Sequence, residues 1–294
     1  MLVRGVVCSV AALVALTSAC TSDAPSVARP TAAPQETATT EPSPAPLTGR
    51  YVAIGDSFSA GPGISPIDQE SGFCLRSTAN FPSLVAEQLS KSLTDVSCSG
   101  ASTTTVLEGA DGPRGTVEPQ IDAVTADTDL VTIGLGGNDG GLFQTLIQSC
   151  VEGAAACQQF VSAQAPAVLA TTTDRLARLL RSVTSRAPDA TVALVGYPRL
   201  SPATGSCAAA GIDASAQDLV RSAEILLDDA LRAAAEAASV QFVSLRDAST
   251  GHDACAGSQA WTNGDTAANG DGIVFHPRAT GMRAIAAVVA RALS

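Results

Sequence analysis

From residue 49 onward, short apolar runs alternate with longer stretches in which apolar residues return every three or four positions. Tyr51–Ile54, Asp95–Cys98, Leu130–Leu135, Thr191–Val195 and Val240–Leu245 are the short runs, and each is expected to be a β-strand. Between the third and fourth, Leu176, Leu179, Leu180 and Val183 stand at i, i+3, i+4 and i+7, one face of a helix. Leu227, Ala230, Leu231 and Ala234 repeat that spacing between the fourth and fifth. Pro188, just after Arg186 and Ala187, supplies a helix stop. Met282, Ile285, Val289 and Leu293 mark a last helix over Ala279–Leu293. Strands and helices in alternation imply an α/β fold, a five-stranded parallel sheet with helices on both faces. Ligands of such sheets bind beyond the carboxyl ends of the strands. Ser57, Gly100 and Asn138 all fall there.

The first 48 residues follow a different pattern. Arg4 precedes a short apolar stretch, Gly5 to Leu16, as in an exported protein's targeting segment. Leu16-Thr17-Ser18-Ala19-Cys20 then resembles the lipobox of bacterial lipoproteins, with Thr17 standing where Leu is usual. The resemblance implies a signal peptide over residues 1–19 and acylation of Cys20 as the mature N-terminus. An ordinary secretory signal is the alternative. Residues 20–48 are dominated by Thr, Ser, Ala and Pro without a core-forming period, and a disordered tether is expected. The folded domain is therefore assigned to 49–294.

Composition narrows the partners. The chain is 46% hydrophobic and 15% charged, enough for one sizeable core, and its net charge is −11. A surface of that sign suits neither nucleic acid nor docking on anionic lipid. No apolar stretch of the body reaches transmembrane length, so membrane attachment is expected only through Cys20. A monomer is expected. Beyond Cys8 and Cys20, six cysteines remain: Cys74, Cys98, Cys150, Cys157, Cys207 and Cys255. Three disulfides in an oxidising compartment fit this even number, and spacing leaves all fifteen pairings open. No Cys-x-x-Cys spacing favours zinc, and Asp265 and Asp271 lack EF-hand spacing for calcium, so no metal is expected.

The chemistry concentrates in a few positions. Gly55-Asp56-Ser57 follows the first apolar run; such a tripeptide alone is an ordinary turn, but here it places a hydroxyl at a strand end. A serine is a poor nucleophile until a base removes its proton. The chain has two histidines. His276, in Phe275-His276-Pro277 before the last helix, is the preferred base, while His252 lies in a polar segment near Cys255 and reads as a surface loop. Asn138 sits in Gly136-Gly137-Asn138-Asp139-Gly140-Gly141, where its amide could donate to an oxyanion. That loop lacks both the Lys of a P-loop and the Gly spacing of a dinucleotide site, so no cofactor is expected. Gly100, in Cys98-Ser99-Gly100-Ala101, allows its N–H to approach a ligand closely.

Together these blocks resemble the SGNH, or GDSL-like, hydrolase family over residues 50–294, and within it the secreted lipases and esterases of actinomycetes. Ala260-Trp261-Thr262-Asn263-Gly264 and Phe275-His276-Pro277 carry the closer likeness. The resemblance implies a three-layer α/β/α, flavodoxin-like sandwich. Ser57 becomes the nucleophile, His276 the base, and the oxyanion donors are the Ser57 N–H, the Gly100 N–H and the Asn138 side chain. It also implies sequential disulfides Cys74–Cys98, Cys150–Cys157 and Cys207–Cys255. Many members carry Asp three residues before the histidine; here Ile273 occupies that position. The backbone carbonyl of Ile273 is thus expected to orient His276 in a dyad, with Asp271 completing a triad as the runner-up. The activity implied is a carboxylester hydrolase acting on lipid or acyl esters at the outer face of the cytoplasmic membrane. A cell-wall glycan deacetylase or acyltransferase using the same site is one alternative. A non-enzymatic solute-binding lipoprotein is the other.

Overall fold

Alternation along the first strand sorts the core into two halves. Tyr51 and Ala53 face one side, Val52 and Ile54 the other, and all four are fully buried. The structure is a computed structural model that describes residues 48–112 and 115–294. Five strands, β1 (Arg50–Gly55), β2 (Ser92–Asp95), β3 (Thr128–Gly134), β4 (Thr191–Val195) and β5 (Gln241–Val243), form one sheet in the order β2-β1-β3-β4-β5. Every neighbouring pair is parallel. Strands buried on both faces are the rule for such sheets, and Val131 and Ile133 of β3 and Leu194 of β4 are fully buried.

The helices are α1 (Ser57–Ala60), α2 (Phe81–Gln88), α3 (Thr103–Glu108), α4 (Leu142–Glu152), α5 (Ala154–Gln159), α6 (Ala165–Arg186), α7 (Ala214–Ala238) and α8 (Ala279–Leu293). Met282, Ile285 and Val289 of α8 join Phe81 and Val85 of α2 over the Tyr51 face. Leu176, Leu179, Leu180 and Val183 of α6 cover the Val52 face together with Leu231 of α7, all wholly out of solvent. Each such leucine contributes about 1.5–3 kcal/mol of burial. A third cluster joins α4, α5 and the first turns of α6 and α7 beyond the ends of the strands, around Leu146, Phe160, Leu169 and Val220. It builds the wall of the cleft described below.

Only Thr191–Val195 keeps its expected bounds; β1, β3 and β5 differ from Tyr51–Ile54, Leu130–Leu135 and Val240–Leu245 by one or two residues at each end, and β2 differs more. The second strand is Ser92–Asp95 rather than Asp95–Cys98, because this edge strand is only half-buried and carries no apolar run. The chain still tracks β1 past it, with the Val96 N–H donating to Ala53 O at 3.0 Å and the Cys98 N–H to Gly55 O at 2.9 Å. The fifth strand is shorter than Val240–Leu245. Three disulfides join Cys74 to Cys98, Cys150 to Cys157 and Cys207 to Cys255. The first binds the end of the β2 segment to the loop after α1, beside Gly100. No helix of the described residues is long and apolar enough to cross a membrane. The expected signal peptide over residues 1–19, Cys20 and the expected tether up to residue 47 lie outside the described residues.

Candidate active site

At the carboxyl end of β1 the chain turns directly into α1, whose first residue is Ser57. Asp56 caps that helix, its Oδ1 accepting the Phe58 N–H at 2.8 Å. The other carboxylate oxygen accepts the Tyr197 hydroxyl at 2.6 Å, and the same phenol oxygen accepts the Gly137 N–H at 2.8 Å. One buried relay therefore ties the loops after β1, β3 and β4 together. Burial pushes the Asp56 carboxyl up to about 7, against the hydrogen bonds from Tyr197 and Phe58 that favour its charge. Burial and the neighbouring Asp56 charge hold the Tyr197 phenol above its usual range, so it stays a donor. Gln120, itself buried, clasps the Gly55 peptide from below, with Oε1 accepting the Gly55 N–H at 2.8 Å and Nε2 donating to Gly55 O at 3.1 Å.

His276 approaches from the loop before α8. Its Nε2 lies 2.9 Å from Ser57 Oγ, and its Nδ1 lies 2.8 Å from a backbone carbonyl. That carbonyl belongs to Val274 and not, as expected, to Ile273. Ile273 O instead accepts the backbone N–H of His276 at 3.3 Å and the Asn263 side chain at 3.3 Å. Phe275 accounts for the difference. Its φ of +59° is left-handed, a conformation that costs a non-glycine residue about 1–3 kcal/mol, and it turns the chain between Val274 and the ring. The imidazole packs on Phe58 and edge-on to Phe143, at centroid distances of 4.8 and 5.4 Å. Burial lowers its pKa, with the Val274 hydrogen bond working the other way.

Asp271 is not available to the ring. Its Oδ1 accepts the Ala279 N–H at 2.8 Å at the start of α8, and its Oδ2 accepts Arg278 Nε at 2.9 Å. A carboxylate at a helix start already has the partners it favours. His252 stacks on Trp261 at 4.9 Å and its Nδ1 donates to Gln259 O at 2.8 Å, so it serves its own loop.

Gly100 follows the β2 segment with φ +84°, and no atom lies within 4 Å of where a Cβ would sit. The backbone angle, rather than a lack of room, requires glycine there. The Asn138 Nδ2 donates one hydrogen to Ala101 O at 3.0 Å, which fixes the amide's orientation and leaves its second hydrogen for a ligand. Asp139 beside it is buried and accepts both the N–H and the hydroxyl of Thr103, locking the start of α3 onto the Asn138 loop. An imidazole on a hydroxyl, with positioned N–H donors, is the equipment for acyl transfer. Among the described residues no three or more His, Cys, Asp or Glu side chains gather as a metal would require.

Beside Ser57 opens a narrow cleft with a cavity volume of about 60 Å³. Its walls come largely from the third core cluster, including Leu142, Leu146, Leu169, Leu200, Val220 and Ala223. Val274, Tyr197, Gln120 and Asp139 were not singled out from sequence. Tyr197 lies at the end of β4 and Asp139 directly follows Asn138, so strand-end position was a usable signal for both; Gln120 offered none.

Known proteins resemble this chain in sequence and in fold. Residues 53–284 match the GDSL-like Lipase/Acylhydrolase family. Lipase 2 of Streptomyces coelicolor is 38% identical over 264 residues, 85% of this chain and 88% of its own length. The solved phospholipase A1 of Streptomyces albidoflavus superposes with a TM-score of 0.70 at 32% identity, covering 82% of this chain and 98% of that one. The extracellular lipase of Streptomyces rimosus gives 0.72 at 30% identity, covering 83% and 100%. The chain belongs to the GDSL-like lipase/acylhydrolase family and is a serine carboxylester hydrolase.

Proposed function

We propose that Ser57 and His276 form a catalytic dyad that cleaves esters of apolar acyl groups outside the cytoplasm. The 2.9 Å hydrogen bond between Ser57 Oγ and His276 Nε2, formed beside an apolar cleft, carries this reading. With its Nδ1–H donated to Val274 O, the neutral ring presents the Nε2 lone pair to the serine. Ser57 Oγ attacks the ester carbonyl as its proton passes to Nε2. The Ser57 N–H, the Gly100 N–H and the Asn138 amide receive the developing oxyanion. Collapse breaks the bond to the alkoxy group, which takes the proton from His276 and departs. Water then attacks the acyl-serine by the same route and releases the acid. A backbone carbonyl suffices to orient the ring, and no carboxylate takes part.

The acyl group occupies the cleft lined by Leu142, Leu146 and Leu169. Export is supported by the N-terminal pattern of residues 1–19, by the three disulfides, and by the relative named an extracellular lipase. Acylation at Cys20 then holds the enzyme by residues 20–48 to the outer face of the membrane. Assay of Ser57→Ala on a short p-nitrophenyl ester tests the dyad. Turnover is expected to fall by several orders of magnitude with the fold retained. Near-normal turnover would reassign the nucleophile.

A further inference from the structure

Two carboxyl side chains line the largely apolar acyl cleft, Asp56 beside the nucleophile and Glu224 on its helical wall. Glu224 of α7 lines it together with Leu200, Val220 and Ala223. Its Oε1 accepts the Leu200 N–H at 2.8 Å and the Ser201 N–H at 3.2 Å, which pins the loop after β4 to α7. Its Oε2 is sealed from solvent and has no hydrogen-bond partner among the described residues. Four side-chain atoms share that condition. Glu224 Oε2 and Thr262 Oγ1 belong to residues that line this cleft, and a third, Ser201 Oγ, belongs to the residue whose N–H Glu224 holds. Leaving a buried polar oxygen unpaired is costly, and anchoring the loop uses only one of the two oxygens.

We infer that the acyl cleft recognises an oxygen-bearing acyl chain, a hydroxylated fatty acyl group, with Glu224 as the residue that hydrogen-bonds the chain's hydroxyl. This deepens the ester-hydrolase reading and rests on it. A hydroxyl both donates and accepts, so it can pair with a carboxylate or with a carboxylic acid. That versatility matters because burial raises Glu224 to about 7, against the lowering influence of the Leu200 and Ser201 N–H groups and of Arg199. On its other side Glu224 borders a smaller cavity with Arg199, Asp228 and Arg246. There Arg199 Nε is already bonded to Arg246 O at 2.8 Å, and Arg232 and Ser244 occupy the Asp228 carboxylate. Glu224 also lines the cleft that holds Ser57, the cavity open to an incoming chain in this reading.

The test uses the full chain and matched methyl esters: a saturated fatty acyl ester and its monohydroxy counterparts of equal length, with the hydroxyl stepped along the chain. In the native enzyme one hydroxyl position is expected to raise kcat/KM at least about tenfold over the plain chain, since a site built to bond a hydroxyl discriminates against the analogue lacking it. Glu224→Leu should bring that ratio to one or below. Glu224→Gln, which keeps an oxygen for the Leu200 and Ser201 N–H groups, should reduce it only in part. Because each ratio is taken on a single enzyme preparation, partial misfolding of a variant cancels. A flat positional series in the native enzyme overturns the proposal even if neither variant folds, and so does an unchanged ratio in Glu224→Leu. Both outcomes leave the esterase reading intact. Failure of the native enzyme to cleave any ester would instead remove that reading, and this proposal with it.

Discussion

His276 is held from three sides: its Nδ1 by the Val274 carbonyl, its Nε2 by Ser57, and its faces by Phe58 and Phe143. Burial within that setting disfavours the imidazolium, so its pKa lies below 6.5. The base must be neutral to accept the serine proton. Activity is therefore expected to persist at lower pH than an ordinary imidazole allows. The acid limb of kcat/KM on an activated ester should have its midpoint below 6.5, falling about tenfold per pH unit beyond it. A midpoint near 7 would instead mean that proton loss from buried Asp56, raised to about 7, governs activity. At this scale the sequence located Ser57, Gly100, Asn138 and His276 at strand or helix ends, and the structure brings Ser57 and His276 into contact. It could not select the carbonyl on Nδ1, because the left-handed turn at Phe275 is a backbone choice that no residue type there announces.

Among the elements, α8 was the most legible. Its apolar residues at helical spacing predicted Ala279–Leu293, the observed bounds. Four leucine and valine positions predicted the buried face of α6, and all four are fully buried. The edge strand β2 was misplaced because alternating half-exposed positions carry little hydrophobic signal. Helices α2 to α5 were not anticipated; α3 and α5 are only six residues long, too short to establish a period. The assignment of Asp271 to the start of α8 has a direct consequence. Asp271→Asn keeps an oxygen for the Ala279 N–H but loses the charge opposite Arg278. Stability should fall by about 1 kcal/mol or less in chemical denaturation, with kcat within a few-fold of native. Loss on the order of 10⁴-fold in kcat, with folding unchanged, would restore a carboxylate triad.

At the scale of the molecule, the sheet gathers the loops after β1, β2 and β3 at the carboxyl ends of its strands, and α4, α6 and α7 wall an apolar cleft beside them. The fold class was legible because the strand runs and helical stretches alternate. The cleft was not, since its walls come from α4, α6 and α7 and from several loops whose meeting no local pattern encodes. The N-terminal segment adds a separate expectation. Cys20→Ala should move the protein from the detergent phase to the aqueous phase while leaving ester turnover unchanged, because position 20 lies outside the site built by Ser57, Gly100, Asn138 and His276. Equal aqueous partitioning of both forms would point to a simple secretory signal.

The most direct test of the catalytic account is covalent. An alkyl phosphonate ester carrying a good leaving group reacts with an activated serine as an ester does, but its adduct resists hydrolysis. After full inactivation, mass spectrometry of the peptides should find a single phosphonyl group on Ser57, and His276→Ala should slow labelling at least about 100-fold. Labelling of a different residue, or equally rapid labelling without His276, would contradict the dyad.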